Sequence, residues 1–124
     1  MWAWGSEMRD HRKLQVFHLA DSLVEMVYRT TREFPREEVL GLTAQMRRSA
    51  VSVAANIVEG CARPSEQDYR RFLGISFGSV RELGYFIDLA VRLEYLTANI
   101  AEELRNLQGR TAAALAALVH ARRS

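Results

Sequence analysis

Three histidines and one cysteine are the residues of this sequence that most readily bind metals or act as nucleophiles. His11 and His18 lie two helical turns apart, too far for one metal ion, and His120 stands alone near the other end of the chain. No histidine or cysteine pair has metal-binding spacing, and the Glu-x-x-His pairs of metal-binding helical bundles are missing. We therefore expect structural or solvated histidines, no metal and no other cofactor.

Cys61 is predicted to follow a helix C-terminus, where the negative end of the helix dipole raises the pKa of a thiol. A nucleophilic cysteine needs a lowered pKa, so this role is disfavoured. The chain also has no glycine-rich phosphate loop, Walker lysine or Gly-x-Ser-x-Gly turn. The sequence thus predicts no enzymatic activity. A lone cysteine cannot form an internal disulfide and fits a reducing cytoplasm.

A polar stripe runs along the segment from Gly41 to Gly60, which otherwise has the apolar periodicity of a helix. Small alanines beside the stripe allow neighbouring elements to come close on two sides. We predict that this helix is central and that its polar stripe meets something other than bulk water. The stripe consists of Gln45, Arg48, Ser52, Asn56 and Glu59.

Glu82, on the next predicted helix, is the residue that could pair with this stripe. A buried or half-buried Arg48–Glu82 pair beside Asn56 would set the register of the two helices at some cost in stability. The charged and amide groups here have two interpretations: solvated surface groups, or contacts to another subunit. The sequence leaves both open for Arg47, Arg48, Asn56, Glu59 and Glu82.

Arginines alternate with aromatic residues at the predicted start of the third helix, where Tyr69 and Phe72 occur. Such an arrangement can hold single-stranded nucleic acid through phosphate contacts and base stacking. The net charge of +2 is a weak signal for a nucleic-acid binder. We therefore favour a solvated helix flank with aromatic residues in the core. The candidate nucleic-acid contacts are Arg47, Arg48, Arg63, Arg70 and Arg71.

Four amphipathic segments with short connections position these residues and predict an all-α fold. Helices are expected over about 13–32, 41–60, 66–94 and 98–122. Pro35 ends the first and Gly60 the second, and Ser65 and Thr97 cap the third and fourth. Short connections between helices predict an antiparallel up-down-up-down four-helix bundle.

Each predicted helix carries a stripe of residues expected to form the core. These are Val16, Ala20, Leu23, Val27 and Thr30 on the first helix; Leu42, Met46, Ser49, Val53 and Ile57 on the second; Tyr69, Leu73, Ser76, Val80, Leu83, Ile87 and Ala90 on the third; and Ile100, Leu104, Leu107, Thr111, Leu115 and Leu118 on the fourth.

The length of 124 residues, with 48% hydrophobic residues, suits one folded domain, predicted over residues 13–123. Residues 1–12 are predicted to be a flexible leader. The start of the chain lacks the basic and apolar regions of a secretion signal, so we do not expect it to be one. No apolar run is long enough for a transmembrane helix. We therefore expect a cytoplasmic protein with no membrane partner.

Three motifs resemble a known family: Gly-Leu-Thr-x-Gln-Met-Arg-Arg-Ser at 41–49, Ser-Val-x-Ala-Asn-Ile-x-Glu-Gly at 52–60, and Phe-Leu-x-Ile-x-x-Gly-Ser-x-x-Glu-Leu at 72–83. Lys-Leu-Gln-Val-Phe-x-Leu-Ala at 13–20 and Phe34-Pro35 are similar too. The chain resembles the small bacterial four-helix-bundle family, also called the 23S ribosomal RNA intervening-sequence protein family. One departure is Ala54, where the family often has proline, so the second helix should be straighter here.

The resemblance implies a left-handed antiparallel four-helix bundle that assembles as a ring, typically a homopentamer, with no known enzyme activity. Similar accessory proteins of diversity-generating retroelements bind a reverse transcriptase and nucleic acid. Our first hypothesis is therefore a non-enzymatic homo-oligomeric bundle whose polar stripe lies in subunit contacts. The alternative is a nucleic-acid-binding accessory protein with an RNA or reverse-transcriptase partner.

Overall fold

The computed structural model describes residues 9–122, and these residues form four α-helices and two short 3-10 turns, with no strand. The predicted all-α class with four helices is confirmed. The 3-10 turns span His11–Lys13 and Arg36–Glu38. The helices are α1 (Gln15–Thr31), α2 (Leu42–Cys61), α3 (Glu66–Arg92) and α4 (Ala98–Ala121).

The core stripe of α1 is buried as predicted, except at its C-terminal end. Thr31, not Thr30, is the buried residue there. Its hydroxyl donates to the Val27 carbonyl at 2.7 Å, so the polar group is satisfied within its own helix. The prediction for Thr30 is therefore wrong by one position, because Thr31, four residues after Val27, is the residue that faces the core at the end of α1.

All five predicted core residues of α2 are buried, and the helix runs without interruption through Ala54. Gly60 does not end α2, which continues to Cys61. Instead Gly60 packs against α3, where an added Cβ would lie 3.0 Å from Phe72 Cβ and 3.4 Å from the Tyr69 carbonyl oxygen. The glycine is needed here for a close helix–helix approach and not for a left-handed turn.

All seven residues predicted for the core stripe of α3 are buried. The Ser65 hydroxyl accepts from the Asp68 amide at 3.0 Å, which confirms the predicted N-cap. The helix ends at Arg92, two residues earlier than predicted, and Glu94 takes a left-handed conformation with φ 64°. Thr97 caps α4 by accepting from the Ile100 amide at 3.3 Å, also as predicted.

Helix α4 buries three residues of its predicted stripe and leaves Ile100, Leu107 and Leu118 half-buried. Leu104, Thr111 and Leu115 are fully enclosed, while Ile100 at the start of the helix remains partly accessible. The helices pack in a cycle, with α1 against α2 and α4, and α3 against the same two helices. One continuous apolar core results, with α2 and α3 sharing its most extensive seam.

Residues 9–12 lie against the helices, and the assignment of residues 1–12 to a flexible leader stays a prediction. Arg9 donates to the Arg63 carbonyl at 3.0 Å, and Asp10 caps the first 3-10 turn through the Arg12 amide. The rest of that predicted leader, residues 1–8, lies outside the described residues. Assignment of residues 13–123 to one domain stays a prediction. None of the described helices combines the length and apolar character needed to cross a membrane.

Candidate functional site

The middle of the polar stripe forms a hydrogen-bonded cluster between α2 and α3. The hydroxyl oxygens of Ser52 and Ser79 lie 2.7 Å apart. The Asn56 side-chain amide donates to the Ser52 carbonyl at 2.8 Å and to the Ser52 hydroxyl at 3.0 Å. All three side chains are half-buried. Because these groups satisfy one another's hydrogen-bonding capacity, they fix how α2 lies on α3 and leave none of their polar atoms unpaired between the helices.

The two ends of the stripe face solvent. Arg48 donates to Gln45 at 3.2 Å, and Glu59 accepts from Arg63 at 3.1 Å. Glu82 is exposed, and no ion pair among residues 9–122 joins it to Arg48. The Arg48–Glu82 pair considered from the sequence therefore does not form within the described chain. Both side chains are hydrated, where an ion pair gains little, and Arg48 bonds instead to a neighbour on its own helix.

Apolar and small residues are exposed on the outer surfaces of α2 and α3. Val51 and Ile75 keep 40% and 41% of their surface exposed. Gly74 and Gly78 are exposed, and a Cβ at either position would meet nothing within 4 Å. We call the surface around the cluster the α2–α3 face, defined by Gln45, Arg48, Val51, Ser52, Asn56, Glu59, Ile75, Gly78, Ser79 and Glu82.

The arginines at the start of α3 are matched by carboxylates. Asp68 lies 3.7 Å from Arg63 Nε and 3.5 Å from Arg71 Nε, and Arg63 also bonds to Glu59. The guanidinium groups of Arg63 and Arg71 lie 5.2 and 4.4 Å from the Phe72 ring centroid. The arginine side chains thus cover the Phe72 ring, on which a nucleic-acid base would have to stack. A phosphate group would have to compete with the carboxylates for these arginines.

The remaining candidate arginines do not extend this cluster into one basic surface. Arg47 packs on α1, where it donates to the Thr31 hydroxyl at 2.9 Å and to the Tyr28 carbonyl at 3.3 Å. Arg47 lies near the start of α2 and Arg63 follows its end, so the length of the helix between them, roughly 20 Å, keeps the two arginines apart. Arg70 is half-buried, and its Nε is buried without a hydrogen-bond partner in the described residues.

A second charged cluster, which the sequence did not indicate, joins the described ends of the chain. Glu66 accepts from Arg9 at 2.8 Å and from two nitrogens of Arg122, both at 2.8 Å. The same guanidinium groups lie 3.9 and 5.2 Å from the Tyr69 ring centroid. The hydrogen bonds from Arg122, and then those from Arg9, lower the pKa of Glu66 to about 2. No sequence spacing relates these residues, so no sequence signal could have found them.

Cys61 is buried in the core, and burial raises the pKa of its thiol. The thiol pKa is raised, as predicted, and removal of the thiol from water is the main cause. Within residues 9–122, no three histidine, cysteine, aspartate or glutamate side chains come close enough to hold a metal ion. The buried thiol is thus poorly placed as a nucleophile.

Together these features define a small all-helical protein whose clustered polar groups mainly join one helix to another. The chain belongs to the 23S rRNA-intervening sequence protein family, whose model matches residues 12–117. The resemblance inferred from the motifs at 41–49, 52–60 and 72–83 is thereby confirmed.

Among solved structures, one similar protein is described as a protein of unknown function from the S23 ribosomal protein family of Bacteroides thetaiotaomicron. It superposes with a TM-score of 0.76 at 22% identity, over 84% of this chain and 97% of that one. At this identity the likeness supports the fold alone. A search of curated proteins finds no match to the chain.

Proposed function

We propose that this protein is a non-enzymatic helical bundle that assembles with copies of itself through the α2–α3 face, as a homopentameric ring. The observation that carries the proposal is the outer surface of α2 and α3, where Val51 and Ile75 are exposed beside Gly78. A glycine inside a helix costs about 1 kcal/mol relative to alanine, and no contact in the described chain requires this one. The missing side chain at Gly78 would let the backbone of a second copy approach closely.

The polar cluster suits a surface that becomes buried. Ser52, Asn56 and Ser79 already satisfy one another, so covering them leaves few unpaired groups. The exposed charges of Arg48 and Glu82 lie on the same face as the apolar residues. An apolar centre with a polar rim is the usual composition of a protein–protein interface.

The proposal includes the finer topology of the bundle, antiparallel up-down-up-down and left-handed. Contacts across the α2–α3 seam support the antiparallel part, since Ser52 meets Ser79 while Gly60, further along α2, meets Phe72, which lies earlier on α3. Short connections between all helices agree with it. A cytoplasmic location belongs to the same proposal, supported by the buried and free thiol of Cys61.

Size-exclusion chromatography with light scattering, followed by native mass spectrometry, tests the assembly. We expect a pentamer at micromolar concentration for the full chain. Val51→Arg and Ile75→Arg should shift it to monomers, because a charge would enter the apolar centre of the contact. Leu93→Arg is the matched control, an exposed apolar residue outside the α2–α3 face, and should leave the mass unchanged. A monomeric wild-type chain would contradict the proposal.

The alternative is a nucleic-acid-binding accessory protein that contacts RNA or a reverse transcriptase. It is favoured by Arg48 and Arg70, which pair with no carboxylate in the described residues. Electrophoretic shifts with structured RNA across a salt series test it, with affinity expected to fall as salt rises. Binding that does not weaken with salt would argue against phosphate contacts by these arginines.

A further inference from the structure

A pocket of about 380 Å³ lies where the end of α1, the second 3-10 turn and the start of α2 meet. We call it the α1–α2 pocket. Three of its lining residues are arginines and none is a carboxylate. It shares no residue with the α2–α3 face. Its lining consists of Thr31, Arg32, Phe34, Arg36, Val39, Thr43, Ala44 and Arg47.

One of the three arginines is held in place at the pocket. Arg47 donates through Nε to the Thr31 hydroxyl and through Nη2 to the Tyr28 carbonyl, and its guanidinium lies 4.6 Å from the Tyr28 ring centroid. Its Nη1 has no partner within the described residues. Arg47 is therefore oriented by α1 with donors to spare, which reduces the entropy lost when it binds an anion.

The other two arginines are exposed and have no carboxylate partner among residues 9–122. Arg32 follows α1 and Arg36 begins the second 3-10 turn. The nearby Glu38 does not line the pocket, because it accepts from the Leu42 amide and the Tyr95 hydroxyl. Three positively charged side chains thus line one pocket that no carboxylate side chain lines, and an anion bound there would relieve their repulsion.

The start of α2 adds backbone donors to the same pocket. The Leu42 amide is taken by Glu38, and the Gln45 amide by the Gly41 carbonyl. The amides of Thr43 and Ala44, both pocket-lining residues, have no acceptor within the described chain. Free amides at a helix N-terminus, together with the helix dipole, favour negative charge.

Thr43 supplies an independent indication of a ligand. Only 6% of this residue is exposed, and its hydroxyl is buried without a hydrogen-bond partner in the described chain. A buried hydroxyl left unpaired is unfavourable, so such groups in native proteins usually have a partner. Because Thr43 lines the pocket, a ligand oxygen bound there, after a small rotation of the side chain, would provide one.

We propose that the α1–α2 pocket binds the phosphate group of a small ligand. Two backbone amides, the Thr43 hydroxyl and the guanidinium groups of Arg32, Arg36 and Arg47 offer donors from several sides. A tetrahedral phosphate has acceptor oxygens in several directions and is bound well by arginine. The bound group is either free phosphate or the phosphate end of a phosphomonoester. This inference is independent of the proposed ring assembly.

Calorimetric titration of the full chain tests the site, with inorganic phosphate in one arm and glycerol 3-phosphate in the other, at constant ionic strength set with chloride. We expect saturable binding that Arg36→Gln weakens about tenfold, the usual effect of losing a charge-assisted hydrogen bond. Arg110→Gln, an exposed arginine outside the pocket, makes the same charge change and should bind like wild type.

Tighter binding of glycerol 3-phosphate would identify a phosphomonoester site, and tighter binding of inorganic phosphate would identify free phosphate as the ligand. Both results support the pocket. The absence of saturable binding in both arms would overturn the proposal, as would equal weakening by Arg110→Gln, because general charge attraction would then explain the binding.

Thr43→Val separates a ligand-binding hydroxyl from a structural one. Valine keeps the shape and removes the unpaired oxygen, so the unfolding midpoint without phosphate should stay the same or rise. The rise in midpoint that phosphate causes in wild type should be lost or much reduced in the variant. A variant that keeps the full phosphate-dependent shift would show that Thr43 is not part of the site and would refute the assigned set of donors.

Discussion

Two polar side chains, Ser76 and Gln108, bond to the backbone of a neighbouring helix. Ser76 is fully buried and donates to the Val53 carbonyl at 2.7 Å, across the α2–α3 seam. Gln108 donates to the Val80 carbonyl at 2.8 Å, across the α3–α4 seam. Gly84 leaves room for this amide, since a Cβ there would lie 2.8 Å from Gln108 Nε2. At the residue scale, these bonds specify where one helix lies on the next.

Replacing Ser76 by alanine should lower the free energy of unfolding, because one buried hydrogen bond is lost. The control is Ser22→Ala on the exposed side of α1, which carries the same gain in helix propensity. We expect Ser76→Ala to be less stable than the control by about 1 kcal/mol in urea unfolding. Equal stability of the two variants would mean that the Val53 contact contributes nothing measurable.

At the scale of the elements, hydrogen bonds connect the segment that follows α3 to the turn that precedes α2. The Tyr95 hydroxyl donates to Glu38 at 2.8 Å, and the same carboxylate accepts from the Leu42 amide at 2.9 Å. The Tyr95 amide donates to the Ala90 carbonyl, which closes α3. The chain must turn sharply to make these contacts, and Glu94 accommodates the turn in a left-handed conformation.

Glu94→Gly should raise the free energy of unfolding by about 0.5 kcal/mol or more, since glycine adopts a left-handed conformation without the clash of a Cβ. The same change at Glu102, an exposed position within α4, should lower it by about 1 kcal/mol. Thermal unfolding of both variants measures the contrast. A loss of stability in Glu94→Gly would show that the side chain, and not the backbone, matters at this turn.

At the scale of the whole molecule, Glu66 links regions that are far apart in sequence. It holds Arg9 from the start of the described chain and Arg122 from its end, next to the Tyr69 ring. The side chain of Glu66 is 44% exposed, so water screens these ion pairs and their contribution stays modest. The cluster thus fastens both ends to α3 in a way that depends on the charge of one carboxylate.

The stability from Glu66 should depend on pH. Its pKa falls from the ordinary 4.5 to about 2 on folding, so the contribution is complete above about pH 4.5 and is lost as the pH drops towards 2. In urea unfolding at neutral pH, Glu66→Gln should be less stable than wild type by about 1 kcal/mol or less. The difference should disappear stepwise on acidification. A difference that persists at low pH would rule out this charge effect.

Local patterns predicted much of the fold. The stripe on α3 is buried throughout, and the caps at Ser65 and Thr97 form as expected, since both depend on residues within a few positions of one another. The Arg48–Glu82 pair, which the sequence left open, does not form within the described chain, because its formation depends on hydration and on competing neighbours of each side chain. The prediction that Gly60 ends α2 is wrong for a similar reason, because the role of this glycine depends on its contact with another helix.

The sequence by itself determined the helices, their caps, most of the core and the family, because each is written in short-range periodicity or in contiguous motifs. Only the tertiary structure brought Glu66 together with Arg9 and Arg122, and placed three arginines with Thr43 in one pocket. Such clusters join residues from separate helices and turns. The spacing of side chains along one helix does not indicate which residues of another helix they will contact in the folded chain.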